Sequence, residues 1–380
     1  VNIFEKHIYK HPTQYLWSYK IWKYAGEKNI LILNDGKAGH LRQAEAVAKI
    51  AVNYLKDKGI KPNVTTVRVD FKNTFHRYAL ELSSCLAGKY HCQGCLWCLK
   101  SFLAKDTYLS LAGIKPDLII SCGAAVEPVN FVLSRENLAK SVLIMRPSVL
   151  SAKRFDLVVI PRHDRFIKRK NVLVTEGALN LIDEDYLREQ SGKLVQATGH
   201  RLQATGSYIG LLIGGDAKDF HLTYDTILEV IKQIKLISEK YNMDLLITTS
   251  RRTPEGIENL LKEEFKDYSR CQLLVIANEK NLPSAVGGIL GLSQIVITSP
   301  ESISMVSEAV NSKKYVLVFN PAGLDKKHRE FLRRFSGDKY IYLVRAQDLS
   351  KRVDDINKTK PEAHNLRDSL IVKEALKRIL

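Results

Sequence analysis

The sequence predicts an α/β protein built as two Rossmann-like lobes facing a cleft. Three observations predict it. Short apolar runs alternate with amphipathic stretches, the βαβ rhythm of an open parallel sheet. The rhythm runs twice, in two series of about 170 residues each. Glycine-bearing turns follow several of the apolar runs, and loops at strand C-terminal ends are where such sheets hold ligands.

The chain begins with an aromatic and basic stretch, residues 1–28. Within it "YLWSYKIWKYAG" (15–26) interleaves aromatics with Lys20 and Lys23. On a helix, Leu16, Tyr19 and Lys23 share one face, and Trp17, Ile21 and Tyr24 another. Rings beside lysines suit a bilayer interface. A helix packed on the first lobe by its rings is the alternative.

The first lobe is expected over 29–206. Its strands are Ile30–Leu33, Val64–Val69, Leu118–Ile120, Val142–Met145, Leu157–Ile160 and Asn171–Val174. Helices fill Leu41–Lys56 and much of Phe75–Ala87. The first of these sets Ala44, Val47, Ala48, Ala51 and Leu55 on one face. Residues 190–206 read as a polar, turn-rich connection. The second lobe is expected over 207–358. Its strands are Tyr208–Ile213, Leu245–Thr248, Leu273–Ile276, Ile295–Thr298, Tyr315–Phe319 and Ile341–Val344, with helices such as Thr223–Tyr241 and Ser302–Asn311 between them. "NKTKPEAHN" (357–365) breaks the chain before a last helix, Leu366–Leu380. That unit, 359–380, is long enough to cross back onto the first lobe.

The 380 residues are 45% hydrophobic, enough for two real cores. The net charge of +17 favours a polyanionic partner: a phosphorylated substrate, an anionic membrane face or nucleic acid. No zinc-finger spacing, basic zipper or RNA-binding aromatic pair is present, which disfavours nucleic acid. No apolar run approaches the ~18 residues of a spanning helix, and the N-terminus shows no signal-peptide core. A cytoplasmic protein is expected, able to sit on the inner face of a membrane.

Several turns carry chemistry. In "LNDGKAGHLRQAEAVA" (33–48), Gly36 and Gly39 suit a tight corner or a close ligand approach. Asp35 and Lys37 stand just past the strand end, and the helix start presents N–H groups to an anion. The spacing is neither GxGxxG nor a Walker loop. An ordinary strand–helix turn explains the glycines equally well. In "SCGAAVEPVN" (121–130), Gly123 permits close packing or close ligand approach. "VVIPRHDRF" (158–166) sets His163 beside Asp164, a pair suited to proton transfer, with Arg162 and Arg165 suited to phosphate; a solvated loop is the alternative. "LLIGGDAKDFHLT" (211–223) places Gly214 and Gly215 after an apolar run, with Asp216, Lys218 and His221 nearby. "TTSRRTPEGIENL" (248–260) offers Arg251 and Arg252 as phosphate forks, and Thr253 with Pro254 as a helix start. In "TSPESISMVSEAV" (298–310), Ser302 and Ser304 sit near a helix N-terminus. Glu301 and Glu308 would share a face if both were helical, and such a carboxylate can accept hydrogen bonds from sugar hydroxyls.

Four cysteines, Cys85, Cys92, Cys95 and Cys98, crowd one segment. The Cys92-x2-Cys95-x2-Cys98 spacing could hold zinc or an iron–sulfur centre with Cys85 or His91. Equally, the cysteines could be small apolar groups on one helix face.

Read together, these motifs resemble the mitochondrial fission ELM1-like family, whose bacterial members look like glycosyltransferases. The residues that carry the resemblance are Asp35-Gly36-Lys37-Ala38-Gly39-His40 with Gln43, "IPRHD" ending at Asp164, and "NVLVTEGALN" (171–180). Gly214-Gly215 with Lys218 and Phe220, "TTSRRTP" (248–254) and "TSPESISMVSEA" (298–309) complete the set. The resemblance implies a GT-B-like architecture with a nucleotide-sugar donor held mainly by the second lobe. Gly214, Gly215, Lys218, Ser302 and Ser304 would then meet the diphosphate, and Glu308 the ribose or sugar hydroxyls. Arg251 or Arg252 would offset leaving-group charge. Asp35 or His163 would be the base, and Lys37, Gly39, His40, Gln43 and Asp164 would face the acceptor, a glycan or a lipid-linked molecule. No tightly bound cofactor or metal is implied. A nucleotide-sugar epimerase or hydrolase, or a non-catalytic scaffold like the plant relatives, is the alternative.

Overall fold

The computed structural model describes residues 26–87, 96–164, 168–199, 201–217, 220–319 and 323–380, with residues 3, 6, 7, 10 and 11. The aromatic stretch before Gly26 lies outside the described residues, as do Cys92, Cys95 and Lys218.

The first lobe runs β1 (Glu27–Asn34), α1 (Ala38–Asp57), β2 (Lys61–Arg68), α2 (Thr74–Leu86), α3 (Trp97–Phe102), α4 (Lys105–Ala112), β3 (Leu118–Cys122), α5 (Glu127–Asn137), β4 (Lys140–Ile144), β5 (Leu157–Pro161) and β6 (Val172–Thr175). Then follow α6 (Glu184–Ala197), β7 (Tyr208–Leu212), α7 (Tyr224–Tyr241), β8 (Asp244–Thr248), α8 (Glu255–Phe265), β9 (Cys271–Val275), α9 (Ala285–Leu292), β10 (Ile295–Thr298), α10 (Ile303–Asn311), β11 (Tyr315–Phe319), α11 (Lys326–Gly337), β12 (Tyr342–Val344), α12 (Leu349–Thr359) and α13 (Asp368–Lys377).

The strands form two six-stranded sheets, ordered β2-β1-β3-β4-β5-β6 and β12-β11-β10-β7-β8-β9. Every pairing between them is parallel. Parallel strands are buried on both faces, which is why they read as apolar runs. In β1, Ile30 and Ile32 enter one core and Leu31 and Leu33 the other. Each sheet reverses its strand order once, between β1 and β3 and between β7 and β10. Those switch points open a crevice at the strand C-terminal ends.

Two expectations about organisation change. Residues 190–206 are not simply a connection, because α6 occupies 184–197. This helix packs on α9 of the second lobe, and Leu194 lies in that lobe's core. The packing is possible because α9 is glycine-rich on the facing side: a Cβ at Gly288 would meet the Leu194 side chain at 2.6 Å. The expected boundary at 206 therefore falls too late. The final helix does cross back. Val372 and Leu376 of α13 are fully buried in the first lobe's core. Asp368 fixes its start by accepting hydrogen bonds from Glu176 N and Gly177 N, both at 2.9 Å.

Candidate functional site

Both switch points carry the loops that the sequence singled out. On the first lobe, β1 ends at Asn34, whose side chain accepts from Gly36 N at 2.8 Å. Gly36 adopts φ +86°, a left-handed conformation that favours glycine. Gly39 differs: it lies inside α1 with open space around it, so nothing there demands a glycine. The turn aims Asp35 inward. One carboxylate oxygen accepts from Lys37 N at 3.1 Å, and the other meets His40 Nδ1 at 2.7 Å. The Asp35 side chain is 4% exposed. Burial works to raise its pKa, but the bonds from His40 and Lys37 N, with their charges, outweigh it and hold the carboxyl below its ordinary value.

Gly123, after β3, backs this pair. It has φ +90°, and a Cβ there would stand 2.7 Å from the His40 ring. The glycine is required by close approach of the dyad. Neighbouring Cys122 is buried, and burial pushes its thiol up, helped by the charges of Asp35 and Asp164. Gln43 is buried one turn further along α1, with its Oε1 lacking a hydrogen-bond partner. Lys37 is exposed at the mouth.

On the second lobe, three strand-end loops lock together. Gly214 N donates to Ser299 Oγ at 2.8 Å, Ser299 Oγ donates to Glu301 Oε1 at 3.1 Å, and Gly215 N donates to the same oxygen at 2.8 Å. A Cβ on Gly214 would land on the Glu301 carboxylate, and one on Gly215 would strike the Arg252 carbonyl. The glycine pair exists because two loops press on it. The hydroxyl of Thr253 donates to Gly214 O and accepts from Ser250 N at 2.9 Å. It is therefore not the cap of α8; Pro254 holds that position without a side-chain bond. Arg251 and Arg252 are exposed beside this block, and Arg252 also donates to Asp216 O at 3.4 Å.

Glu301 precedes α10, so it does not share a helical face with Glu308 as expected. Its carboxyl is buried, and burial raises its pKa despite the hydrogen bonds it receives. Its second oxygen is buried with no partner. Glu301 Oε1 therefore holds the glycine-pair loop rather than standing open to a sugar hydroxyl; the adjacent glycines, which only a close neighbour explains, are the sequence signal for that contact. Ser302 is the N-cap of α10, accepting from Met305 N at 3.3 Å. Ser304 is exposed in the first turn.

The lobes touch across the crevice. Glu308 of α10 faces Arg42 of α1 at 3.5 Å. Burial raises the Glu308 carboxyl, and Arg42 opposes that. Ala178 N donates to Ser307 Oγ at 3.1 Å. Asp164 pairs with Lys327 at 2.7 Å. His163 is almost wholly enclosed, its edge against the Phe331 ring at 5.9 Å and its Nδ1 buried without a partner. Burial, then the charge of Lys327, pushes its pKa down to about 4. His163, Asp164, Lys327 and Phe331 line a cavity of about 570 Å³, walled also by Met145, Arg146, Arg162 and Arg334.

The structure thus gathers the candidates into three groups: Asp35 with His40 and Gly123, the glycine pair with Ser299 and Glu301, and His163 with Asp164. Asp35 and His163 are not in contact. Of the cysteines, Cys85 Sγ approaches Val149 O at 3.4 Å. Among the described residues, no cluster of three or more His, Cys, Asp and Glu could hold a metal, and no helix is long and apolar enough to cross a membrane.

The family model described as mitochondrial fission ELM1 matches residues 38–370. Protein RP120 of Rickettsia prowazekii (strain Madrid E) is 23% identical over 341 residues, covering 82% of this chain and 89% of that protein. Among solved structures, the UDP-GlcNAc 2-epimerase of Methanocaldococcus jannaschii is similar with a TM-score of 0.54 at 12% identity, covering 93% of this chain and 99% of that one. The S. aureus MnaA–UDP co-structure is similar with a TM-score of 0.51 at 12% identity, covering 93% and 96%. Likeness at this identity carries the fold, the two-lobed GT-B-like architecture.

Proposed function

The chain belongs to the mitochondrial fission ELM1 family, and from that premise we propose that it is a nucleotide-sugar-using enzyme working in the crevice between its two lobes. The observation that carries this reading is the opposition of the two switch points. One presents a buried carboxylate–imidazole dyad, Asp35 and His40, and the other presents a glycine-pair loop beside the N-terminus of α10.

In this reading the diphosphate lies at the first turn of α10, where the helix N-terminus and Ser304 favour anions, beside the Gly214–Gly215 loop, whose own amides are taken up by Ser299 and Glu301. Arg251 and Arg252, exposed at the rim, offset charge on the departing diphosphate. Glu308 takes ribose hydroxyls once Arg42 withdraws. Asp35 is already engaged, so it positions His40, whose Nε2 is then the base; neutral His163 is the second candidate. A base that takes the proton at sugar C2 while the C1–O bond to the diphosphate breaks leaves a C1=C2 double bond; a proton delivered to the other face of C2 while the diphosphate oxygen bonds C1 again gives the epimer. Deprotonating water gives hydrolysis, and deprotonating an acceptor hydroxyl gives glycosyl transfer.

Epimerisation or hydrolysis is weighed first, supported by the fold shared with a UDP-GlcNAc 2-epimerase. Transfer is the second reading, supported by the basic cavity beside His163, which suits an anionic glycan or lipid-linked acceptor. The test is titration calorimetry with UDP, GDP, CMP and ADP sugars, followed by NMR in D2O with the sugar that binds. Deuterium at C2 with a new epimer supports epimerisation. Free sugar and nucleotide support hydrolysis. Tight binding without turnover until an acceptor is added supports transfer. Binding must fall in Glu308→Ala. No binding by any of the four classes would overturn the reading and leave the scaffold role.

A further inference from the structure

Helix α2 is amphipathic the wrong way round for a helix that only packs on a core. Phe75, Tyr78, Leu82 and Leu86 are 75%, 55%, 66% and 80% exposed. At 3.6 residues per turn they fall within one arc of about 80°. The buried residues of the helix, Leu80 and Ser84, lie on the opposite side. Its charged residues, Arg77 and Glu81, form an i,i+4 pair at the edge of the apolar arc, with the Arg77 guanidinium over the Tyr78 ring at 4.5 Å. Trp97, on the adjoining α3, is 70% exposed, and Leu109 on α4 is 56% exposed. Scattered apolar residues on a surface are ordinary, but a continuous stripe on one helix backed by an exposed tryptophan is not.

The surroundings are basic. Lys72 lies at the start of α2, its Nζ donating to Ser101 O at 2.7 Å. Lys100, Lys105 and Lys153 are exposed. Arg154 clamps the end of α2, donating to Ser84 O and Cys85 O at 2.5 and 2.8 Å. Against these stand Glu81 and Asp70, each paired with an arginine, and Asp106. We propose that this face of α2, with Trp97, is a membrane-docking surface that inserts its apolar stripe into an anionic lipid layer while the lysines meet the headgroups. Aromatic and aliphatic side chains ringed by lysine are what a lipid interface accepts, and anionic headgroups complement the rim. Arg154 and the Cys85–Val149 contact tie the end of α2 to the segment between β4 and β5, so the face is held rigidly on the first lobe.

The test is flotation of the full chain with vesicles of phosphatidylcholine alone, or with about 30% phosphatidylglycerol. The wild type is expected to float with the anionic vesicles, and only partly to be released by salt. F75S/L82S/L86S is expected to bind roughly tenfold or more weaker while keeping its circular dichroism and its melting temperature. K100E/K105E/K153E, which leaves the stripe intact, is expected to lose the preference for anionic vesicles. A wild type that stays with the unbound fraction would overturn the proposal. So would a stripe variant that floats as well as wild type, above all if W17A/W22A abolishes flotation, since the contact would then lie in the aromatic N-terminal stretch. A wild-type dimer that the stripe variant dissociates, with no vesicle binding, would assign the face to a second copy and also overturn it.

Discussion

His163 gives a prediction whose sign and size can both be worked out. The ring is enclosed against Phe331, and Lys327, Arg334 and His328 add positive charge around it, which Asp164 opposes. Its pKa falls from 6.5 to about 4 in the folded chain. Unfolded, the ring regains its ordinary value and takes a proton as the pH drops through 6.5. The folded state does not follow until about 4. Between those values the unfolded state binds more protons, so stability falls with falling pH, by about 1.4 kcal/mol per unit. From pH 7 to pH 5 the loss is about 2 kcal/mol. The buried carboxyls of Glu127, Glu301, Glu308 and Asp368 are raised and work the other way, since their ionised forms are relieved as the pH drops. The measurement must therefore be a difference. Urea unfolding of the wild type and His163→Gln at pH 7, 6 and 5 should show the wild type losing about 2 kcal/mol more than the variant over that range. Parallel pH curves for the two proteins would refute the reasoning, because they would mean that His163 titrates alike folded and unfolded.

Three further outcomes are expected. Gly123→Ala should push the His40 ring off Asp35, because the new Cβ would stand 2.7 Å from it; the downfield Nδ1–H proton of His40 should vanish from the NMR spectrum. Gly214→Ala should displace the Glu301 carboxylate and cost about 2–4 kcal/mol from overpacking and lost hydrogen bonds. Melting temperature and nucleotide affinity should fall together, and a variant that kept both would show that the loops are not locked as described. Asp368→Ala leaves two backbone N–H groups without their acceptor and should cost about 2–4 kcal/mol in urea unfolding; a change under about 0.5 kcal/mol would mean that α13 is anchored by its apolar face alone.

Much of the fold could be read ahead of the structure because parallel strands are nearly uniform apolar runs. β10 and β11 match their expected limits, and the face of α1 named from spacing is the face that is buried. α6 was hidden for the converse reason. Only Leu194 of its 14 residues is buried, so its apolar stripe is too thin to stand out, and what fixes it is the glycine-rich surface of α9. The site was legible as loops and not as chemistry. Asp35 and His40 are five apart across a strand end and a first helical turn, a spacing no regular face predicts. Glu301 acquires its role from the 213–216 loop, and Arg42 meets Glu308 from the other lobe. Such partnerships are made by tertiary contact, and single-sequence periodicity carries no trace of them.

The return of the last helix has a consequence for synthesis. The first lobe's strands are all made before residue 176, yet one of its cores is closed by Val372 and Leu376. Residues up to Leu376 must therefore leave the ribosome before the first lobe can complete its packing, so the lobe begun first is finished only after the second has been made. Until then, the side of α1 and β6 that α13 covers stays open to chaperones and to other nascent chains.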